Sequence, residues 1–272
     1  MNCLETSFVF EVFLYIMQTG KTINRRIRRL SVVITIALFL LLWELLVLVL
    51  QLPAFILPTP AQVAERFVRA LTDGSLLEHS AATLLEVVCG LSCGVLFASL
   101  LGYLLARSKF LENVLQPFLV ASQAVPVVAI APLLVIWFGS GIFSKVLICA
   151  LTVFFPVLVN TVVGLRAVPE NLRDLMRSMR ATPWQTFSQL ELPAALPILL
   201  GGLRIGATLS VIGAVVGELV GSDRGLGFLI NVGRGQYDTA LVFVGVLTLV
   251  CLAVLLYSLV VWLEKRLLRW KL

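Results

Sequence analysis

Six stretches of this chain run for about twenty residues or more with hardly a charge, and that recurrence constrains the fold more than any motif. They cover about Leu30–Leu52, Ala81–Ala106, Leu115–Phe138, Lys145–Leu165, Ile198–Val220 and Ala240–Leu263. A helix rises about 1.5 Å per residue, so roughly 20 residues cross a hydrocarbon core of ~30 Å. Inside that core the backbone N–H and C=O groups have no water to pair with, and segments of this length satisfy them as helices. The expected fold is all-α and polytopic, with six transmembrane helices and both termini on one side. Composition agrees: 60% hydrophobic and 13% charged residues exclude an ordinary soluble domain of 272 residues.

The connections between these runs set the orientation. One side collects Lys21, Arg25, Arg26, Arg28 and Arg29, then Arg107 and Lys109, then Arg166, Arg173, Arg177 and Arg180, and finally Lys265, Arg266, Arg269 and Lys271. The other has Arg66, Arg69, Lys145, Arg224 and Arg234, and this three-to-one bias predicts that the first side is cytoplasmic. The organisation that follows is a basic cytoplasmic segment over 1–29, a transmembrane domain over 30–264 and a basic cytoplasmic tail over 265–272. The net charge of +6 thus belongs to membrane orientation, not to nucleic-acid binding.

One connection is more than a turn. The loop over 166–197 holds Asp174 to Pro193, DLMRSMRATPWQTFSQLELP, with Arg173, Arg177 and Arg180 too close together for a span. Residues 170–179 suit one short helix. Thr182-Pro183-Trp184-Gln185 reads as the start of another, with Thr182 as N-cap, Pro183 at the first helical position and Gln185 closing a capping box. Pro193 disfavours helix at the residue before it, so this second helix is expected to end near Leu190. Two short helices joined near Arg180 form a cytoplasmic docking surface.

Within the spans, ionisable groups and prolines mark candidates for a pathway. Glu44 lies midway along the first span, Glu86 in the outer third of the second, Arg204 near the inner end of the fifth and Glu218 near its outer end. Each charge at such depth costs a few kcal/mol unless sheltered. Each reads either as a pathway group or as a structural one, snorkelling at an interface or bonding to a neighbouring helix. Pro117, Pro126 and Pro132 interrupt the third span, and kinks of this kind suit a pathway wall or a hinge. Gly202, Gly206, Gly213 and Gly217 give the fifth span a small-residue face for helix or subunit packing. Gly221 to Gly227 is expected as an external turn or re-entrant edge, and Ala61 to Leu71 as an amphipathic surface stretch. The five cysteines, two of them at Cys89 and Cys93, show no metal or disulfide spacing with the single His79 and read as small buried residues.

The amino-terminal apolar run Phe8–Met17 is too short to span. It reads either as an interfacial segment or as sequence upstream of a start at Met17. Gly20-Lys21-Thr22 resembles the end of a phosphate-binding loop, but Tyr15 stands where that loop needs its first glycine. This chain is therefore expected to bind no nucleotide and no metal, and any ATP is hydrolysed by a partner subunit.

Taken together, these residues resemble the membrane permease subunits of bacterial ATP-binding-cassette importers, in the nitrate, sulfonate and taurine group. The family's cytoplasmic signature runs Glu-Ala-Ala, three residues, Gly, nine residues, a hydrophobic residue, one residue, Leu-Pro. Counted back from Leu192-Pro193, it falls on Asp174, Leu175 and Met176, with Arg180 in the glycine position and Leu190 in the hydrophobic one. Leu57-Pro58-Thr59-Pro60, Pro132 to Gly139, Gly202 to Gly206, Gly217-Glu218-Leu219 and Gly225-Leu226-Gly227 follow in family order. The resemblance implies a type I importer permease in a bacterial plasma membrane. It also implies a second permease copy, two cytoplasmic ATPases gripping the loop through Asp174, Arg177, Arg180, Thr182, Trp184, Leu190 and Pro193, and an extracytoplasmic solute-binding protein. No catalytic residue is expected.

For the substrate, Val125 to Leu133 is similar to the branch of the group that carries vitamins such as riboflavin or the pyrimidine precursor of thiamine. Three glutamates and one arginine in the spans are also a poor lining for an anion. Nitrate, sulfonate or taurine transport is the alternative. An ion-coupled carrier would use Glu44 or Glu86 and need no docking loop, and an enzyme would need the clustered catalytic groups this sequence lacks.

Overall fold

The computed structural model describes residues 25–123 and 126–268. The Phe8–Met17 run, Met17 as a start and Gly20-Lys21-Thr22 lie outside the described residues. Contacts divide the chain into one unit ending at Gln62 and a second from Val63 onward.

The first unit holds α1 (Arg25–Leu50), so the basic lead-in passes into the helix without a break. Most of the side chains described on α1 beyond Ser31 are exposed, as suits a helix meant for lipid. A turn over 51–59 follows. Thr59 and Gln62 then exchange two hydrogen bonds, Thr59 N–H to Oε1 at 2.9 Å and Gln62 N–H to Oγ1 at 3.2 Å, with Pro60 at the first helical position. They start α2 (Pro60–Thr72), the expected amphipathic stretch, whose Val63 and Ala70 are buried.

The second unit is built around α6 (Ile142–Arg166), with α3 (Ser75–Arg107) on one side and α9 (Leu192–Val220) on the other. Small residues bring the backbones together on both sides. From α3, a Cβ added at Gly90 would strike Cys149. One at Gly94 would lie 2.8 Å from the Ala150 carbonyl, and one at Gly102 would lie 2.7 Å from Thr161. Gly202, Gly206, Gly213 and Gly217 face the same helix from α9, meeting Asn160, Val153, Cys149 and Lys145 in turn. The pairing order makes α3 and α6 parallel and α9 antiparallel to both. Two parallel neighbours require the chain between them to cross back.

That return is made in two pieces. The expected third span is divided into α4 (Lys109–Gln123), with Pro117 inside it, and α5 (Val127–Phe138), with Pro126 in extended geometry at its N-cap. A proline at 126 has no N–H to donate back to a preceding helix. Among the described residues five helices are each long and apolar enough to cross a membrane, and α5 is a shorter apolar one. No strand occurs among the described residues.

The remaining elements are α7 (Glu170–Ser178), α8 (Pro183–Thr186), α10 (Leu226–Gly235) and α11 (Thr239–Leu267). Asp238 caps α11, its carboxylate accepting from Leu241 N–H at 3.0 Å, and also accepts from Arg66 on α2 at 2.7 Å. The expected edge at Gly221–Gly227 is a turn leading into α10, whose ten residues are too short to span. Of the cysteines expected to be buried, Cys149 is buried, whereas Cys89, Cys93 and Cys251 are exposed on apolar helix faces.

Close packing against α6 makes a differential test. Leucine at position 213 must push against the Cys149 backbone, 2.8 Å from the first added carbon, whereas position 201 on the same helix has open space. Gly213→Leu is expected to cost about 1–3 kcal/mol and lower the thermal midpoint in detergent, with Gly201→Leu close to wild type. Equal midpoints would show that the α6–α9 contact is not set by backbone approach.

Candidate functional site

The loop between α6 and α9 builds the first candidate site. Helix α7 opens after Pro169 with Glu170 in its first turn and closes with Arg177 in its last, both favourable to the helix dipole. Its end has two reverse hydrogen bonds, Ala181 N–H to Met176 O at 3.0 Å and Arg180 N–H to Arg177 O at 2.9 Å. This is the Schellman arrangement, which needs its C′ residue in the left-handed region. Arg180 is that residue, at φ +54°. The glycine position of the signature is thus a left-handed helix cap, and here an arginine takes the strain.

Thr182 then forms the expected capping box. Its N–H donates to Gln185 Oε1 at 2.8 Å, and its Oγ1 accepts from Gln185 N–H at 3.3 Å, with Pro183 leading the helix. The helix does not end near Leu190 as expected. Helix α8 passes into a π-helical turn, Phe187–Glu191, and on into α9. Across the turn, Leu192 N–H reaches back five residues to Phe187 O, and Pro193, which has no N–H to place, sits in the first turn of the next helix.

A buried carboxylate secures this junction. Glu191, 3% exposed, accepts from Arg107 Nη2 at the end of α3 at 2.8 Å. Arg173 Nε of α7 lies 3.6 Å from its other oxygen, too long for a hydrogen bond but close enough for charge attraction, and Arg173 Nη2 donates to Leu165 O at 2.6 Å. Arg107 also stands 5.3 Å over the Tyr103 ring, Tyr103 meets Phe187 edge-on, and Phe187 meets Trp184. Around this anchored base the loop presents Leu175, Met179 and Trp184 exposed, Trp184 at 72%. Leu190 is half-buried, and Asp174 and Arg177 pair with each other in the open. Nearby, both Arg166 guanidinium arms reach the Glu112 carboxylate of α4, holding its pKa below the usual range. That pair is complete above the ordinary glutamate range and is lost as pH falls through the lowered value.

A second polar cluster lies at the opposite end of the same three helices. Lys145 on α6 reaches Glu86 Oε1 on α3 at 3.1 Å, both side chains 4% exposed, and donates to Ser222 Oγ at 2.5 Å. Glu218 on α9, 1% exposed, accepts from Thr83 Oγ1 at 2.6 Å and from Gly227 N–H at 2.5 Å. Leu226 N–H donates to Thr83 Oγ1 at 2.8 Å, and Gly225 N–H to His79 Nδ1 at 3.1 Å. Three successive N–H groups at the start of α10 are thereby satisfied by side chains of α3 and α9. Gly225 sits at φ +108°, and any Cβ there would strike the Glu218 carboxylate. On α6, 21 residues separate Lys145 from Arg166, about 32 Å of helix. The two clusters therefore bracket one bilayer thickness.

The structure brings Glu86 and Glu218 together with Lys145. Lys145, counted with the outer connections, is instead buried within the first turn of α6, so four cations remain there. Arg204 pairs with Glu264 of α11 and stands over Tyr257. Glu44 is half-buried on α1, with no carboxylate partner found among the described residues. Pro126 and Pro132 are exposed, at the start of α5 and inside it. Sequence reading passed over Glu191 and Thr83, counted Lys145 among the connecting cations and weighed His79 only as a metal partner for the cysteines. For Glu191 the available signal was a lone carboxylate between an arginine-rich loop and a long apolar run.

A bundle of membrane-crossing helices with an anchored, apolar-tipped loop between two of them is the architecture of a transport permease. The chain belongs to the family described as binding-protein-dependent transport system inner membrane component, whose profile matches residues 90–269. It is 47% identical over 242 residues to the riboflavin transport system permease protein RibX of Chloroflexus aurantiacus, covering 89% of this chain and 90% of RibX. With the formylaminopyrimidine transport permease protein ThiX of Halalkalibacterium halodurans it shares 37% identity over 234 residues, 86% of this chain and 93% of ThiX. An inward-facing structure of the MetNI methionine ABC transporter matches with a TM-score of 0.55 at 23% identity, over 71% of this chain and 94% of that one. The fold is that of a type I importer permease, and the protein is a multi-pass inner-membrane permease of an ABC importer.

The left-handed cap yields a test at one residue. Arg180→Gly removes a conformational cost of about 1–2 kcal/mol, offset in part by the greater freedom of glycine in the unfolded chain. The expected outcome is a raised thermal midpoint for the purified protein. A lowered midpoint would mean that the Arg180 side chain stabilises the loop by more than its backbone strains it.

Proposed function

We propose that this chain forms the translocation pathway of an ATP-driven importer for riboflavin or a related vitamin-type heterocycle, working as a homodimer. The observation that carries the substrate is the 47% identity to RibX, extending over nearly the whole of both chains. An extracytoplasmic binding protein delivers the solute. Two cytoplasmic ATPases hydrolyse ATP, and this chain binds neither nucleotide nor metal. The excess of Lys and Arg on the side of the 166–197 loop supports an orientation with that loop and both termini in the cytoplasm.

In this reading the ATPase grips the exposed apolar surface of Leu175, Met179 and Trp184, together with Arg177, Arg180 and Leu190. ATP binding closes the ATPase pair. The gripped loop moves with it, and the permease halves rock between outward and inward access. The unbroken helix from Pro183 to Val220 and the Glu191 ion pairs support such transmission, because displacement of the loop is passed to α9 and, through Arg107, to α3. Pro126 and Pro132 are assigned to the pathway wall, since both are exposed, one at the N-cap of α5 and one inside it. Glu44 remains a pathway candidate on α1. Glu86 and Glu218 act from behind, fixing the outer ends of the helices that shape the pathway.

Uptake of labelled riboflavin, thiamine pyrimidine precursor, taurine and nitrate, measured in cells expressing the chain with its binding protein and ATPase, tests this reading. Riboflavin uptake is expected, with loss of both uptake and ATPase co-purification on deletion of 174–190 or in Trp184→Glu and Leu190→Glu. Uptake of taurine or nitrate alone would overturn the substrate. ATPase co-purification unaffected by the deletion would overturn the docking assignment.

A further inference from the structure

Beneath the loop, α3, α6 and α9 leave a groove of about 510 Å³, of whose lining the transport cycle described above uses only Trp184. Leu96, Leu100 and Leu165 line it, and Tyr103, Trp184 and Phe187 line its loop end, the lip. We propose that this groove holds one acyl chain of an anionic phospholipid, whose headgroup lies at Arg107.

Chemistry, depth and charge each favour that occupant. The lining is almost wholly hydrocarbon and aromatic, and its volume falls within the ~300–1,000 Å³ typical of ligand clefts, yet it lacks the convergent polar groups that orient a small polar ligand. Leu96 and Leu100 are 66% and 58% exposed on the membrane-crossing part of α3, so the groove opens where lipid chains are. Its lip lies at the helix ends marked by Arg107 and Arg166, the depth of the headgroup boundary, where tyrosine and tryptophan are favoured.

The charge at that lip is positive. Arg107 and Arg173 share the single carboxylate of Glu191, leaving the trio one charge in excess, and the Arg107 side chain is 43% exposed above the Tyr103 ring. Basic pockets between spans on the cytoplasmic side are suited to anionic headgroups. Because Trp184 and Phe187 belong to the loop and Leu100 and Tyr103 to α3, the bound chain would lie between the docking loop and the spans. Lipid composition would then tune how firmly loop motion is passed inward. Only the choice of leaflet rests on the orientation proposed above. The groove itself depends on neither substrate nor ATPase.

The test uses the permease–ATPase complex in phosphatidylcholine nanodiscs containing phosphatidylglycerol with a photoactivatable diazirine in its acyl chain. Adducts mapped by mass spectrometry are expected to concentrate on 96–103 and 183–192 over the lipid-exposed 246–255 face of α11. Unlabelled phosphatidylglycerol should displace them about fivefold better than phosphatidylcholine, the scale of one arginine near a membrane surface. Leu100→Trp, which fills the groove, should remove the excess labelling. Ser99→Phe serves the same purpose if that variant fails to co-elute with the ATPase, and Leu247→Trp on α11 should leave the labelling unchanged. Labelling no denser in the groove than on α11, or unaffected by a filled groove, would overturn the site. Equal displacement by the two lipids would overturn its preference for anionic lipid.

Discussion

Helix α6 packs closely into the glycine faces of its two neighbours, and most of the described architecture depends on that approach. Lipid is as apolar as leucine, so helices in a bilayer gain little from hiding hydrophobic surface from one another. What holds them is close contact, and side chains set the distance. Glycine at 90, 94 and 102 on α3, and at 202, 206, 213 and 217 on α9, leaves room for the side chains or backbone of α6 where a Cβ would otherwise stand. The same contacts fix the helix directions and therefore force the return crossing through α4 and α5.

Polar clusters at the two ends of this triple contact then act as pins. At the loop end, the Glu191 carboxylate draws Arg107 from α3 and Arg173 from α7. At the other, Glu86, Lys145 and Glu218 join α3, α6 and α9, while Glu218 and Thr83 cap α10. Buried charges of this kind add little net stability compared with apolar packing, but removing one partner strands the other in a medium that solvates it poorly. Their value is in register: each helix can slide only if a charge is exposed to lipid.

A loop pinned at its base and bare at its tip suits mechanical coupling. Trp184 and Met179 present apolar surface that a helix facing water would not expose without a partner, whereas Glu191, a few residues on, is fixed to the spans. The π-helical turn between them lets Pro193 enter the helix without a break, so loop and span form one continuous element. A hinge there would have absorbed the motion instead of transmitting it.

Much of the fold could be read from the sequence because membrane physics acts locally. Twenty apolar residues must be helical, a basic connection sets the side, and a Thr-Pro-Trp-Gln sequence closes its own capping box within four residues. The helical loop between α6 and α9, the glycine face of α9 and the division of the third span at Pro126 were legible for that reason. The two polar clusters were not. Lys145 looked like a loop cation because its carboxylate partner lies 59 residues earlier in the chain, and Glu191 was one unremarkable letter in a motif until Arg107, 84 residues before it, closed on it. Arg180 could be placed at the family's glycine, but that the position is a left-handed cap emerged only from the backbone. The sequence by itself determined which segments are helical and where the loop lies, since each follows from neighbouring residues and the solvent around them. Which charges meet, and so what holds the ends of the helices, was decided only by tertiary structure, because a buried ion pair depends on the distance between residues far apart in the chain.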